Sequence, residues 1–183
     1  MHPNTFFAER FSPMRFSTAH EPSQRELRVI LEAAQSAPSA GNSQPWSFIV
    51  GMRGEDTHTR LSAHLARSST VWAPSASYLI ANVRQRFIEG SELEYSEFGR
   101  YDLGQAVAYM TVQAHSLGLA SHQFRAFKKQ ALTEAFQLPE HLEIVTMTAI
   151  GLADHLRGEV VGSGTDRTRR ELDSLVFAGD LSR

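Results

Sequence analysis

Two short segments near opposite ends of the chain carry the side chains best suited to binding a phosphate group. The first is Arg10-Phe11-Ser12-Pro13-Met14-Arg15, and the second is Arg167-Thr168-Arg169-Arg170-Glu171. Guanidinium groups bind phosphate oxygens through charge-assisted, bidentate hydrogen bonds, and a hydroxyl group can add a further contact. Taken singly, the second segment is typical of a solvent-exposed basic run and the first of a capping segment. Together they favour a site for a phosphorylated cofactor.

A polar loop offers a second surface for the same ligand. Residues 37 to 45 (APSAGNSQP) contain hardly a hydrophobic side chain, so the loop cannot contribute much packing. Its Gly, Pro and small residues allow the backbone to approach a bound molecule closely. A plain helix-to-strand connection is the alternative, since loops of this length are not rare. The two arginine segments shift the balance towards the binding interpretation.

The composition disfavours several other kinds of site. The 183 residues include no cysteine, which excludes disulfides, thiolate nucleophiles and Cys-bound metals. The eight histidines show no metal-ligand spacing, so we expect no metal site. Neither a GxGxxG fingerprint nor a P-loop is present, so a phosphate would be held in another way.

The overall charge and hydropathy point to a soluble chain. Eighteen Lys and Arg against twenty Asp and Glu give a formal net charge of -2. This leaves no field that would attract nucleic acid or an anionic membrane. No stretch has the length of a signal-peptide core or of a membrane span, so we expect a cytoplasmic protein.

Helices and strands are predicted to alternate around these segments. Ser23 and Glu26 form a capping-box pattern before apolar residues at helical spacing, which predicts a helix over 23–36 that ends at Ala37-Pro38. Further helices are predicted over 57–68, 103–117 and 128–136, and strands over 46–50, 78–83 and 144–152. No repeat, long linker or low-complexity segment interrupts the pattern, so we expect a single domain over 1–183.

The helix predicted over 103–117 is unusually apolar. Asp102 before it and Gly118 after it are favourable cap residues. Because apolar and small side chains cover most of its circumference, we expect it to be buried on most sides. In so small a protein, such a helix needs either the centre of the fold or a partner chain.

These segments, in this order, resemble the nitroreductase family that depends on flavin mononucleotide (FMN). The specific part of the resemblance is the loop, in which Ala37-Pro38-Ser39-Ala40-Gly41-Asn42-Ser43-Gln44-Pro45-Trp46 follows the family pattern Ala-Pro-Ser-x-x-Asn-x-Gln-Pro-Trp. Weaker matches are Arg10-Phe11-Ser12, Asp102-Leu103-Gly104-Gln105-Ala106, Leu117-Gly118-Leu119, Ala149-Ile150-Gly151 and the basic tail.

The resemblance implies an α+β fold of the α/β sandwich type. Helices would flank a central, mostly antiparallel mixed sheet, and two chains would form an intertwined homodimer with FMN sites between the subunits. The long central helix of the family lies at the dimer interface, which would explain the apolar helix over 103–117. Which subunit supplies each site residue stays open.

The resemblance also implies roles for individual residues. The backbone of Pro38, Ser39 and Ala40 would line the flavin, while Asn42 and Gln44 would hold the loop. The phosphate and ribityl chain would be bound by Arg10, Ser12, Arg167 and Arg169. The segment Phe124-Arg125-Ala126-Phe127 would bring backbone amides towards flavin N5.

The complete set of cofactor-binding residues implied by the resemblance is Arg10, Phe11, Ser12, Met14, Pro38, Ser39, Ala40, Asn42, Gln44, Ser69, Arg125, Ala126, Arg167 and Arg169. The substrate pocket would be lined by Trp72, Phe124 and Phe127. Aromatic side chains are readily buried, so a place in the hydrophobic core is the alternative for each of these three.

Three positions depart from the family pattern near the flavin ring. Met14 stands where the family has Arg or Lys beside flavin N1 and O2, and a positive charge there would stabilise an anionic reduced flavin by about 1 to 3 kcal/mol. Arg15 could compensate, although neighbouring side chains in an extended segment point to opposite faces. Ala126 replaces a glycine, which matters if the position needs a positive φ. Ser69 is only a loose match to an Asn at the pyrimidine edge.

We therefore expect an FMN-dependent oxidoreductase that uses NADPH or NADH to reduce nitroaromatics, quinones or similar flat acceptors by a ping-pong mechanism. Flavin N5 would carry the chemistry, with no catalytic side chain. Two alternatives stay open: other redox chemistry on the same fold, and an FMN-binding or storage protein with weak reductase activity. The expected partners are a small-molecule acceptor and a second copy of the chain, without nucleic acid or membrane.

Overall fold

The computed structural model describes residues 5–160 and 168–179. Its sheet consists of the four strands β1 Trp46–Met52, β2 Tyr78–Gln85, β3 Ala120–Phe124 and β4 Leu142–Gly151. They lie in the order β1-β2-β4-β3, and all three pairings are antiparallel. The expected α+β architecture is confirmed, but the sheet of the described residues contains no parallel pair and is therefore not mixed.

Helices cover both faces of this sheet. They are α1 Thr5–Glu9, α2 Gln24–Gln35, α3 Asp56–Ala63, α4 Gly99–Ser116 and α5 Lys129–Ala135. Side chains of α2 and α4 share one hydrophobic cluster with Tyr78 and Ile80 of β2. Those of α3 and α5 share a second cluster with Leu79 and Ala81 on the opposite face. This division follows from the alternation of side chains along β2.

The predicted elements are confirmed, with shifted ends. The helix predicted over 57–68 ends at Ala63, because the chain then pairs with another segment through Leu65 and Phe127. The helix predicted over 103–117 starts at Gly99, so Asp102 lies inside it and is not its cap. Both α1 and β3 were missed by the sequence analysis. Within the described residues, no helix has the length and apolar character needed to cross a membrane.

One face of α4 is open to solvent in the single chain. Leu103, Ala106, Met110 and Ala114 point into the core and are buried. The exposed residues form a stripe along the helix, here called the α4 stripe: Tyr101, Gly104, Ala108, Tyr109 and Val112. The expectation of a helix buried on most sides is thus met only on the inward face.

An ion-pair network joins β2, β4, α4 and α5 at one end of the sheet. Glu143 of β4 accepts hydrogen bonds from Arg84 Nε and Lys129 Nζ, both at 2.6 Å, and from Arg100 Nη2 at 3.1 Å. The side chains of Arg84 and Glu143 are only 8% and 12% exposed. A pair so well shielded from water couples the four elements more strongly than a surface ion pair would.

Candidate functional site

The N-terminal segment that follows α1 runs beside the segment that follows β4. Phe16 forms an antiparallel bridge with Ala153. The Met14 amide donates a hydrogen bond to His155 Nε2 at 2.9 Å. The ring of Phe11 meets that of His155 edge to face, with 5.4 Å between the centroids. These contacts fix the segment that carries the predicted phosphate-binding residues.

Three guanidinium groups lie near one another beside this segment. Arg157 donates a hydrogen bond to the Ala8 carbonyl, and Arg10 lies within electrostatic reach of both Arg157 and Arg169. Burial lowers the pKa of Arg10, and the positive charges of Arg169 and Arg157 lower it further. Such mutual repulsion is relieved when an anion binds. The predicted Arg167 lies outside the described residues.

Arg157 was missed by the sequence analysis. It stands alone in a polar stretch, without the neighbouring arginines that drew attention to the tail. Its position depends on the pairing of the segment after β4 with the N-terminal segment, and no local pattern encodes that pairing.

A cavity of about 480 Å³ opens beside Arg10. It lies between the N-terminal segment, α4 and β3, and its walls are formed by Phe7, Arg10, Ser12, Ala108, Thr111, Val112, Ser121 and Gln123. Ser121 is 3% exposed, and its hydroxyl has no hydrogen-bond partner in the described part of the chain. Because buried hydroxyl groups are normally paired, this one is an unpaired polar group beside the cavity. A guanidinium group next to several hydroxyls is the donor set that a phosphorylated polyol chain requires.

The loop over residues 38–44 lies against the start of α4. The Ala40 amide donates to Asp102 Oδ2 at 3.2 Å, and Gln105 Nε2 lies 3.4 Å from the Pro38 carbonyl oxygen. Two of the residues predicted to line the flavin are therefore held by the first two turns of this helix.

Hydrogen bonds within the loop fix its shape. Ser39 Oγ accepts from the Gln44 amide at 3.0 Å, and Gln44 Nε2 donates to the Asn42 carbonyl at 3.2 Å. Gly41, Asn42 and Gln44 have φ values of 57°, 55° and 46°. This left-handed region is easy for Gly, accessible to Asn and unfavourable for most other residues. Asn42 takes part in these contacts through its backbone carbonyl, and the loop-holding role of Asn42 and Gln44 in a cofactor site stays a prediction.

The loop and the cavity share the exposed face of α4. Gln105 touches the loop, whereas Thr111 and Val112 line the cavity. At 1.5 Å per residue, the two contact points are about 10 Å apart along the helix. The α4 stripe runs from the loop to the cavity, which its Ala108 and Val112 help to line, so any partner that covered this stripe would border both parts of the site.

The aromatic residues predicted for the substrate pocket belong to the hydrophobic core in the single chain. Trp72, Phe124 and Phe127 are 5%, 8% and 8% exposed and lie in the cluster that also contains residues of α3 and α5. The Trp72 ring stacks on that of His122, with 4.3 Å between the centroids and 18° between the planes. Met14 packs against the same cluster. Their role as pocket walls stays a prediction.

Ser69 and Ala126 are joined to each other. The Ser69 hydroxyl donates to the Ala66 carbonyl at 2.9 Å and also to the Ala126 carbonyl. Ala126 does not have a positive φ, so an alanine fits this backbone without strain. Arg125 is exposed and donates to the Val145 carbonyl at 2.9 Å. Direct contact of these residues with a cofactor stays a prediction.

Arg15 does not replace the cation missing at Met14. Its Nε lies 3.6 Å from Asp154 Oδ2, and its Nη2 donates to the Asp154 carbonyl at 2.9 Å. Met14 points instead towards the aromatic cluster, as expected for neighbouring side chains of an extended segment. The position beside the predicted flavin ring is therefore apolar.

Comparison with known proteins agrees with this geometry. The model of the family described as "Nitroreductase family" matches residues 7–90. A protein of Archaeoglobus fulgidus, provisionally named NADH dehydrogenase/NAD(P)H nitroreductase, is 27% identical over 142 residues, which cover 75% of this chain and 78% of that protein.

Two solved structures extend the likeness over the whole chain. One is that of an oxidoreductase containing FMN, at a TM-score of 0.86 and 25% identity, covering 100% of this chain and 94% of the other. The second is that of a provisionally named nitroreductase from Desulfovibrio desulfuricans in complex with FMN, at a TM-score of 0.78 and 26% identity, covering 99% of this chain and 100% of the other. In its family match, its fold and the residues grouped along α4, the chain is similar to the nitroreductase family.

Proposed function

We propose that the chain is a single FMN-binding domain that acts as an oxidoreductase. It uses NADPH or NADH to reduce nitroaromatics, quinones or similar flat acceptors in a ping-pong cycle. The observation that carries the proposal is the group of Arg10, Arg157 and Arg169 beside a cavity lined with hydroxyl groups. The FMN in the two solved relatives and the name of the Archaeoglobus protein support the cofactor and the reductant.

The residues present fit the parts of FMN. The three guanidinium groups match its phosphate dianion, and the unpaired Ser121 hydroxyl together with Ser12 matches the ribityl chain. The loop over 38–44 offers backbone and small side chains to the flat ring. When bound, FMN supplies a centre at N5 that accepts and donates hydride. The chain contributes binding, orientation and exclusion of water.

We propose further that two copies pair through the α4 stripe. Tyr101 and Tyr109 are 69% and 45% exposed there, beside the small residues Gly104 and Ala108. Small residues let two helix backbones approach, and tyrosines are favoured at protein interfaces. A partner on this stripe would border both the cavity and the loop, so each FMN site would lie between subunits.

A second candidate is an FMN-binding or storage protein with weak reductase activity, and a third is a flavoprotein with other redox chemistry. The observation behind both is the apolar surroundings of Met14, because its charged neighbour Arg15 is paired with Asp154. Without a cation beside the ring, the reduced and anionic flavin loses a stabilising partner.

The visible absorption spectrum of the FMN-loaded protein tests the proposal. We expect anaerobic NADPH or NADH to bleach the flavin bands, and a nitroaromatic or a quinone to restore them. Parallel lines in double-reciprocal kinetics would then support the ping-pong order. FMN that binds but is reduced only by dithionite would favour the second and third candidates. Protein that does not bind FMN would overturn all three.

A further inference from the structure

Asp102 has a buried carboxylate, and none of the cofactor-binding roles described so far includes it. It lies in the first turn of α4 and is 1% exposed. Its Oδ2 accepts the Ala40 amide at 3.2 Å, and Gln105 Nε2 lies 3.4 Å from its Oδ1. The ion pairs found within the described residues do not include it.

A buried carboxylate without a cation is costly unless hydrogen bonds and dipoles compensate for the lost water. The start of α4 supplies part of the compensation, since the N-terminus of a helix carries partial positive charge. Gln105 Nε2 of the same helix and the Ala40 amide, which belongs to the loop, supply hydrogen bonds. The carboxylate therefore loses one of its donors when the loop moves away, and the loop is in turn held by the carboxylate.

Gln105 completes the attachment of the loop to the helix. Its Nε2 lies 3.4 Å from both Asp102 Oδ1 and the Pro38 carbonyl oxygen. Asp102 thus accepts a hydrogen bond from Ala40, and Gln105 donates one to Pro38. Both chain neighbours of Ser39 are therefore held by α4. The next residues of the loop have positive φ values, and non-glycine residues in that region need an external constraint to stay there.

We propose that Asp102 is a positioning residue, which fixes the loop over 38–44 in the conformation that receives the flat ring of the bound flavin. This inference rests on the proposed function for the identity of the ligand. The proposal divides the site into a ring-binding half and a phosphate-binding half. The ring-binding half is the loop held by Asp102, and the phosphate-binding half is formed by Arg10, Arg157 and Arg169, which do not contact Asp102. Loss of Asp102 should therefore weaken binding of the ring and leave recognition of the phosphate unchanged.

The test compares FMN with riboflavin, which has the same ring and no phosphate. Fluorescence titrations of the full chain should show that Asp102→Ala weakens the binding of both flavins by the same factor. The loss of a charge-assisted hydrogen bond predicts a factor of about tenfold or more. Asp102→Asn keeps an acceptor for the Ala40 amide and should recover most of the affinity. Arg169→Gln is the matched control, because it should weaken the binding of FMN and leave the affinity for riboflavin unchanged.

Two further measurements separate positioning from a general loss of stability. Hydrogen exchange of the Ala40 amide in the flavin-free protein should be faster in Asp102→Ala, while amides of β2 keep their protection. The visible circular dichroism of bound FMN in Asp102→Ala should differ from that in the wild-type protein, whereas Asp102→Asn should give the wild-type spectrum.

Three outcomes would contradict the proposal. They are riboflavin affinity that is unchanged in Asp102→Ala, a loss confined to FMN, and no recovery in a folded Asp102→Asn. Wild-type protein that binds neither flavin would instead overturn the proposed function, and the ligand named here with it.

Discussion

The guanidinium group of Arg10, near the start of the chain, lies close enough to that of Arg169, near its end, for their charges to interact. Burial lowers the pKa of Arg10, repulsion by Arg169 lowers it further, and Arg157 adds a smaller effect. Like charges held together in this way are stabilised by an anion placed between them. The arrangement therefore favours the bound state of a phosphate over the free state of the protein.

Arg169→Gln should weaken FMN binding by about 1.5 to 3 kcal/mol, the range for hydrogen bonds to charged groups. Equilibrium titration with FMN measures the loss. The exposed neighbour Arg170 supplies the control variant Arg170→Gln. Equal losses of FMN affinity in both variants would contradict the phosphate-binding role and favour the interpretation of Arg169 as a solvent-exposed basic residue.

Met14→Arg should speed reduction of the bound flavin by NADPH or NADH. The new cation would stabilise the negative charge that the ring gains, whereas Met14 packs against an aromatic cluster and offers no charge. Anaerobic stopped-flow absorbance measures the rate. Met14→Leu keeps the apolar volume and should behave as wild type. An unchanged rate in a folded, FMN-loaded Met14→Arg protein would contradict this account of the missing cation.

Gly104→Arg should convert the proposed dimer into a monomer that keeps its fold. A Cβ at Gly104 meets nothing within 4 Å in the single chain, so a side chain there does not disturb the monomer. Between two facing α4 helices, the same side chain would force the backbones apart. Light scattering after gel filtration gives the mass, and far-ultraviolet circular dichroism reports the fold. Gln130→Arg, exposed on α5, is the control. A wild-type monomer, or a variant that stays dimeric, would count against pairing through the α4 stripe.

Glu143 should make the protein sensitive to acid. Burial alone would raise the pKa of Glu143, but hydrogen bonds from Lys129 and Arg84 and the charge of Arg100 lower it to about 2. In the unfolded chain the group has its ordinary pKa of 4.5, so the unfolded state binds the proton first. The stabilisation is therefore present above about pH 4.5 and is lost as the pH falls towards 2.

Glu143→Gln should lower the free energy of unfolding at pH 7 by about 2 kcal/mol, since solvent at the partly exposed Lys129 and Arg100 reduces the gain below the full shift. The variant should also lose less stability than wild type between pH 5 and about pH 2.5. Urea unfolding across this range measures both effects, with the exposed Glu140→Gln as the control. If the free energy of unfolding fell in parallel with pH for wild type and Glu143→Gln, the charge of Glu143 would not contribute to stability.

The parts of the fold that follow from local patterns could be predicted. Ser23 and Glu26 mark the start of α2, and Ser23 Oγ indeed accepts the Glu26 amide at 3.2 Å. The other half of the capping box takes a different form, because Tyr78 of β2 donates to Glu26 Oε2 at 2.6 Å and accepts the Ser23 amide at 2.8 Å. A contact between elements so far apart in sequence is not encoded in the helix start itself.

The parts that were missed depend on distant contacts. β3 has the sequence ASHQF, in which Ser121 and Gln123 face the α4 side of the sheet, so its polar residues hide the apolar alternation of a strand. Asp102 has the right type and place for a helix cap. It was not recognised as the residue that holds the loop, because that role depends on how the loop packs on α4.

The bonds between the N-terminal segment and the segment after β4 join residues 139 to 149 positions apart in the chain. A ribosome makes the N-terminal segment first, but the segment after β4 that it contacts is made more than a hundred residues later. The sheet strands β1 and β2 can already pair by then, whereas the N-terminal segment still lacks these contacts. Loading of the cofactor would thus be a late, post-translational step. A chain that stopped soon after β4 would keep its strands and lose the site.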